Sequence, residues 1–502
     1  MTDVSAEFRR QITREFPALR GMSYLDTACM GIAPRRAVRA VSDFAHSTQF
    51  CPAGSGTAQH GRLNEDRAAT RPLAARLIGA APEDIALVES TTHGLSVAAR
   101  ALPLRAGDQI LMCDLEFIQM GAVWSQLEKD GIGLRVVPNR AGTITADTVR
   151  AHLSPEVRVL AVSSVQWTNG FRADLESLAE LCRARDIWLV VDAAQHVGAL
   201  PMNVGETPVD VLACGGHKWL NSPFGTGILY LSPRARARMK RPLAGFFAAQ
   251  PPARTWGESF LHPELAAVPE FAFTDEARAW EVGGTGNYAG ALGLAASLSL
   301  VLEIGQHRIA EHIDELTGRL VEGLDRRGIQ VVSPRGDHQR SGIVTFTVGQ
   351  GQPDIAVMRH LLSQDVAVGV RYISGVGGVR VSCHGFNDEQ DIGRLLDSLD
   401  DWAQRRSRGK PDQGGRTRAA RRATAQIARQ RSLIDALDDD LIGLVTARGQ
   451  VSRGIRLSGL EGSLPRTDLA REREVVERFH HRLGPAGTRI ALELLRLCRG
   501  HT

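Results

Sequence analysis

Six short apolar runs between residues 84 and 232, set between amphipathic stretches, constrain this chain more than any other feature. DIALVES (84–90), DQILMCD (108–114), VRVLAVSSV (157–165), DIWLVVDAA (186–194), VDVLACGG (209–216) and TGILYLS (226–232) are β-branched and leucine-rich without clean alternation. That is the pattern of strands buried on both faces. Between them lie segments such as DLESLAELCRAR (174–185), with Leu175, Leu178 and Leu181 at helical spacing and Asp174 placed to cap the helix. Strand and helix in alternation predict a mainly parallel sheet covered by helices, an α/β fold. A long apolar helix from about residue 290, followed by an α+β pattern to about 404, predicts a smaller second domain.

The composition changes at residue 405. RRSRGKPDQGGRTRAA (405–420) is rich in Gly, Pro and Arg, and residues 405–431 hold ten Lys and Arg against the single acid Asp412. Without interleaved aromatics this reads as a solvated linker and not as a nucleic-acid-binding arm. Apolar positions then return at helical spacing (Ile434, Leu437, Leu441, Leu444, Val445, Val451, Ile455), and further helices are expected at about 469–482 and 487–499. The expected organisation is a catalytic region 1–404, a linker 405–424 and an all-helical unit 425–502. The chain as a whole is 43% hydrophobic and 23% charged with a net charge of +4, which excludes a disordered or fibrous protein and selects no charged partner. Seven scattered cysteines form no C-x-x-C, so neither a disulfide framework nor a metal ribbon is expected. No apolar run approaches a membrane span and the N-terminus lacks a secretory pattern. The expectation is a cytoplasmic protein without membrane or nucleic-acid partners.

Asp192, in D192-A-A-Q195, and Lys218, in G215-G-H-K218, stand at the ends of two successive predicted strands. In an open α/β sheet ligands bind beyond the carboxyl ends of strands, so both side chains face one crevice. A lysine there can be a phosphate anchor, a salt-bridge partner or a Schiff-base nucleophile. A carboxylate there can keep a pyridinium nitrogen protonated, and together the two suggest pyridoxal phosphate. V88-E-S-T-T-H-G-L95 opens a helix after a strand, so Thr91 and Thr92 sit in a natural anion site. E281-V-G-G-T-G-N287 offers a second Gly-rich loop with Thr285, D114-L-E-F117 offers an aromatic ring, and Arg380 offers bidentate capture of a carboxylate.

The order of Y24-L-D-T27, S-T-T92, the SSVQWTNGFRADL run (163–175), DAAQ195, GGHK218, GTGN287 and RVSCHGFN387 resembles the class V aminotransferase and cysteine desulfurase-like family, fold type I pyridoxal phosphate enzymes. The resemblance implies that Lys218 carries the cofactor as a Schiff base, Asp192 pairs with its ring nitrogen, Gln195 approaches its 3′-oxygen and Phe117 stacks on it. Thr91, Thr92 and His217 would hold the phosphate, together with Thr285 of a partner subunit, so a homodimer with shared active sites is implied. Arg380, Trp167 and Asn169 would meet an amino acid or 2-oxo acid substrate. Three departures bear on the chemistry. Desulfurases of the family carry a mobile cysteine before the arginine, whereas the loop expected at 370–379 reads VRYISGVGGV, which disfavours persulfide chemistry. Gly215 replaces a phosphate-binding Ser, a contact a backbone amide would replace. Phe117 replaces the usual His, and with Trp167 it makes the pocket more apolar.

In the tail, R431-S-L-I-D-A-L-D438, A447-R448 and D468-L-A-R471-E472 resemble the all-helical chorismate mutase family. By that resemblance Arg431, Arg448 and Arg471 would bind the carboxylates of chorismate, and Asp468 and Glu472 its hydroxyl side. The family's catalytic lysine is replaced by Gly459, with Arg456 one turn earlier as a substitute. The reading is thus an aminotransferase-like enzyme of aromatic metabolism fused to a module that converts or binds chorismate. The alternative is a C–S lyase or epimerase with a degenerate binding or dimerisation tail.

Overall fold

A computed structural model describes residues 2–19, 21–51, 53–250, 256–268, 270–407, 427, 430–431, 434–435, 437–438, 441–453 and 469–499. The chain divides into two compact units, Met1–Arg418 and Ala419–Thr502. The expected linker beyond residue 407, together with Arg456, Gly459 and Asp468, lies outside the described residues.

Seven strands form the central sheet of the first unit: β1 (Ile85–Val88), β2 (Gln109–Cys113), β3 (Gly133–Val137), β4 (Val157–Ser163), β5 (Trp188–Asp192), β6 (Val211–Gly215) and β7 (Gly227–Leu231), in the spatial order β1-β7-β6-β5-β4-β2-β3. All pairings are parallel except those of β7, which runs antiparallel to β1 and β6. Every strand but β3 sends alternate side chains into opposite cores. Leu189 and Val191 of β5 enter one hydrophobic cluster, and Trp188 and Val190 enter the other. The period of two is therefore present but masked, because both destinations are apolar. Truncating one of these leucines to alanine would cost about 2–5 kcal/mol.

The six expected strands form, and the sequence reading missed β3. It is an edge strand, with Arg135 and Val136 exposed, so no continuous apolar run announces it. The helix Tyr288–Ile304 buries Ala291, Leu294 and Leu298 in the core beneath the sheet. From Leu316 onward, the helix Gln306–Asp325 contributes to a separate core with Phe346, Val379, Val381 and Leu395. That core covers a four-stranded antiparallel sheet of β8 (Gln330–Val331), β9 (Ile343–Thr347), β10 (Gly369–Ile373) and β11 (Val376–Ser382), ordered β10-β11-β9-β8. The N-terminal segment joins it, because Ser23–Tyr24 pairs with Val366–Ala367 and Asp26 bridges Ser382.

One expectation is corrected here. Residues 370–379 do not form a loop: β10 and β11 are a hairpin in which Ile373 faces Val376 across a two-residue turn. Ser374 (φ 46°) and Gly375 (φ 77°) both take the left-handed conformation that such tight hairpin turns require.

In the second unit, residues 441–453 are helical. The helix Leu469–Arg499 is broken at Gly484 (φ 62°), next to Pro485, where expected helices two and three were separated. Among the described residues no single helix is long and apolar enough to cross a membrane.

Candidate active site

Asp192 is the last residue of β5, paired in register with Ser163 of β4 and Ala213 of β6. Lys218 follows β6 by three residues, so both groups occupy the crevice at the strand ends. One Asp192 carboxylate oxygen accepts the Ala194 N–H at 2.9 Å, and the other has no hydrogen-bond donor among the described residues. Burial raises the Asp192 carboxyl and the Lys218 ammonium opposes that rise. Burial lowers Lys218, Asp192 opposes it, and Arg380 lowers it further. A buried lysine driven towards its neutral amine is a nucleophile and a base. Its Nζ lies 5.7 Å from the centre of the Phe117 ring. The N-terminal segment packs directly on this turn. Gly31 N–H donates to the His217 carbonyl at 2.8 Å, and a Cβ at Gly31 would stand 2.0 Å from the Lys218 carbonyl oxygen, so only glycine allows the approach.

Beside this pair, Ser90 caps the helix Thr91–Ala101 by accepting the His93 N–H at 3.1 Å, which leaves the helix N-terminus facing the crevice. The Thr92 hydroxyl donates to Gln119 at 2.5 Å. The His217 ring stacks on Phe224 at 4.9 Å, and burial, then Lys218, lowers its pKa. Gly215 does not supply a free amide in place of the missing serine, because its N–H donates to Thr91 Oγ1 at 2.8 Å. Nor is there open space for a side chain: a Cβ there would meet Thr91 Oγ1 at 3.1 Å and His217 Nδ1 at 3.2 Å. Thr285 is exposed on its Gly-rich loop.

On the substrate side, Arg380 of β11 is 1% exposed. It pairs with Asp26 at 3.0 Å and donates to the Trp167 carbonyl at 2.9 Å, and its Nε has no partner among the described residues. The Trp167 ring meets Phe117 edge to face at 5.1 Å, with its indole N–H on the Leu115 carbonyl. The amides expected at the substrate, Asn169, and at the cofactor oxygen, Gln195, both have protein partners. Asn169 is fully buried, donating to the Gly142 carbonyl and accepting the Phe171 N–H, so it shapes the turn after Trp167 instead of contacting a ligand. Gln195 accepts the Trp219 indole N–H at 2.7 Å and donates to the Ala28 carbonyl at 2.9 Å, which leaves one N–H for a cofactor oxygen.

Three features escaped the sequence reading. Glu116, one residue before Phe117, is buried and accepts from the Ser163 N–H, the Ser163 hydroxyl and Gln166. Burial pushes it up to about 7 against those hydrogen bonds. Arg371 donates to the Val370 carbonyl and approaches Cys29 Sγ at 3.5 Å, with no carboxylate at ion-pair distance among the described residues. Because Gly369 faces Arg380 across the hairpin, Arg371 is two residues away diagonally and shares the face of Arg380. The hairpin tip is the third: Ser374 reaches the segment that carries Phe117. A Ser-Gly turn between two apolar runs was its available signal.

In the tail, the residues singled out from the sequence are placed as follows among the described residues. Arg448 donates to Cys498 Sγ at 2.8 Å and to the Leu494 carbonyl at 3.4 Å, Arg471 pairs with Glu474 at 2.5 Å, and Arg431 is exposed. Glu472 is partly buried.

The residues fit pyridoxal phosphate. A buried carboxylate with one oxygen undonated, a lysine lowered by burial and a ring beside its Nζ are the groups that the cofactor's nitrogen, aldehyde and π-face require. Comparison with known proteins agrees. The family model "Aminotransferase class-V" matches residues 23–395. Isopenicillin N epimerase of Streptomyces clavuligerus is 31% identical over 335 residues, covering 65% of this chain and 82% of the relative. A probable cysteine desulfurase of Aeropyrum pernix is 27% identical over 420 residues, covering 78% and 97%. Among solved structures, the cystine C–S lyase C-DES with its product cysteine persulfide superposes with a TM-score of 0.69 at 25% identity, covering 77% of this chain and 99% of that one. C-DES with glycine covalently linked to its PLP cofactor shares the fold, with a TM-score of 0.69 at 24% identity over 78% and 99%.

Proposed function

The chain belongs to the class-V aminotransferase family of pyridoxal phosphate enzymes, and from that premise we propose that it is a C–S lyase, cleaving a sulfur substituent from the β-carbon of an amino acid. The relatives named above support lyase or epimerase chemistry better than the amino transfer expected from sequence. Pyridoxal phosphate, when bound, acidifies the Cα proton of an amino acid and labilises a substituent on Cβ.

Lys218 is the base. Its burial favours the neutral amine that accepts the Cα proton. Asp192 would hold the ring nitrogen, Phe117 a ring face, Thr91, Thr92 and His217 the phosphate, and Gln195 the ring oxygen. Arg380 takes the substrate carboxylate in exchange for Asp26, which neutralises it meanwhile. The leaving sulfur departs with the electron pair of its C–S bond and acquires a proton on release.

The observation that carries this reading over a desulfurase is the β10–β11 hairpin. It has no cysteine from Val370 to Val379 and is closed by a two-residue turn, so it brings no thiol to collect sulfur. Incubation with cystine or another S-substituted cysteine should release pyruvate, ammonia and a sulfur product. Alanine accumulation would instead mark a desulfurase. Epimerisation is the second reading, favoured by the 31% identical relative; it would return deuterium from solvent to Cα with inversion and form no pyruvate.

We infer further that the protein is a homodimer in which Thr285 of the partner subunit completes the phosphate site; the exposure of Thr285 and of Phe246, Phe271, Phe273 and Val282 around its loop supports this. The tail is read as a chorismate-mutase-like module that binds a chorismate-type acid without converting it, since Gly459 stands in place of the family lysine. Prephenate formation by the full-length protein would overturn that part.

A further inference from the structure

The large domain carries a second cleft of about 960 Å³, lined by neither Lys218, Asp192, Phe117 nor Arg380. Two polar groups in its lining lack the partners such groups ordinarily have. Arg172 is partly buried, and its guanidinium makes no hydrogen bond and meets no carboxylate among the described residues; burial alone lowers its pKa. His196 is 3% exposed. Its Nε2 lies 3.1 Å from the Pro201 carbonyl and must carry the proton to bond there, while burial pushes the ring down to about 4 and keeps it neutral. Nδ1 is thereby an acceptor, and it has no donor among the described residues.

The acids of the cleft do not answer Arg172. Asp147 pairs with Arg150, Asp174 caps the helix Leu175–Arg183 through Ser177, and Glu176 and Glu180 are exposed. A guanidinium without an anion and an imidazole without a donor ask for opposite halves of one ligand.

We propose that this cleft is an effector site for a small organic acid bearing a hydroxyl or amino donor, its carboxylate on Arg172 and its donor on His196 Nδ1. Occupancy is transmitted to the Lys218 crevice through the two segments that form both sites. His196 N–H donates to the Ala193 carbonyl at 3.0 Å, directly beyond Asp192. Arg172 ends the loop that begins with Trp167 and is bridged to Val165, and the adjoining Ala173 and Ser164 lead by 3.0 and 2.9 Å backbone bonds to the Asp192 carbonyl.

The test is calorimetric binding of L-malate and succinate to the cofactor-loaded enzyme. Malate should bind more tightly than succinate, its affinity should fall about tenfold or more in Arg172→Met, and binding should persist in Arg380→Ala. His196→Phe should abolish the preference for malate over succinate and serves as an independent check should Arg172→Met fail to fold. Malate should also shift the visible absorption of the bound cofactor. Binding lost in Arg380→Ala but kept in Arg172→Met would move the ligand to the active site and overturn the proposal, as would absence of malate binding. Equal affinity for the two acids would remove the role of His196, and binding without a spectral shift would remove the coupling.

Discussion

Ser374, at the tip of the β10–β11 hairpin, donates its hydroxyl to the carbonyl of Asp114 at 2.9 Å. The bond joins the small domain to the segment that carries Glu116 and Phe117. Gln350 buttresses the same tip by donating to the Gly375 carbonyl. The hairpin tip is thus fastened from both sides.

Removing that fastening should act on turnover and hardly on stability. A single hydrogen bond at an exposed turn is worth about 1 kcal/mol, so Ser374→Ala should leave the melting temperature within a few degrees of wild type. Loss of the register between Arg380 and Phe117 should lower kcat/KM several-fold, as steady-state kinetics would show. A melting temperature lowered with kcat/KM unchanged would make Ser374 a purely structural contact.

Lys218→Ala should abolish turnover and the visible absorption of the lysine-linked cofactor, while the variant still folds because the change removes a charge that burial disfavours. In the wild type, activity requires the carboxylate of Asp192 at the ring nitrogen, a form gained as pH rises and later than usual because burial raises Asp192. The profile of kcat/KM should therefore climb on its acid side, and an acid-side plateau down to the ordinary carboxylate range would contradict the raised Asp192.

The sheet was legible because its strands are apolar towards both cores, and Asp192 and Lys218 because they interrupt that pattern at strand ends. What was not legible depends on partners distant in the chain. Glu116 is an ordinary acid in sequence and acquires its meaning from Ser163 and Gln166, about fifty residues away. Asn169 reads as a ligand-facing amide until Gly142 and Phe171 are seen to engage it. The hairpin read as a loop because its glycines weaken strand propensity, although a Ser-Gly turn is what closes it.

Arg371 and Arg380 share one face of the hairpin, but among the described residues only Arg380 has a carboxylate at ion-pair distance, Asp26. A substrate bearing one carboxylate needs Arg380 alone, whereas one with a second acidic end also meets Arg371. Arg371→Met should then raise KM about tenfold or more for cystine, the loss of one charged hydrogen bond, with kcat and the KM for S-methylcysteine little changed. Arg380→Met should impair both. Equal effects of Arg371→Met on the two substrates would assign it to the fold of the hairpin instead of to selection.

Stability should fall in mild acid, and the sign follows from which state binds the proton. His196 and His384 are both pushed down from 6.5 to about 4 by burial, His384 with its Nε2 on the Trp219 carbonyl at 2.9 Å. Between those values the unfolded chain takes up protons the folded one refuses, so their contribution is present above pH 6.5 and is lost as pH falls towards 4. Glu116 works the other way. Raised from 4.5 to about 7, it binds a proton in the folded state that the unfolded chain releases, so its contribution is full below pH 4.5 and is lost as pH rises through 7. His93 and His217 are lowered as well and Asp192 is raised, so lowered histidines outnumber raised acids and leave a net loss on acidification, of roughly 1.4 kcal/mol per pH unit for each unmatched proton. Urea midpoints measured from pH 7 to 4.5 should decline, and Glu116→Gln, which deletes an opposing group, should make the decline steeper. A shallower decline in Glu116→Gln would mean that Glu116 is ionised in the folded protein across this range.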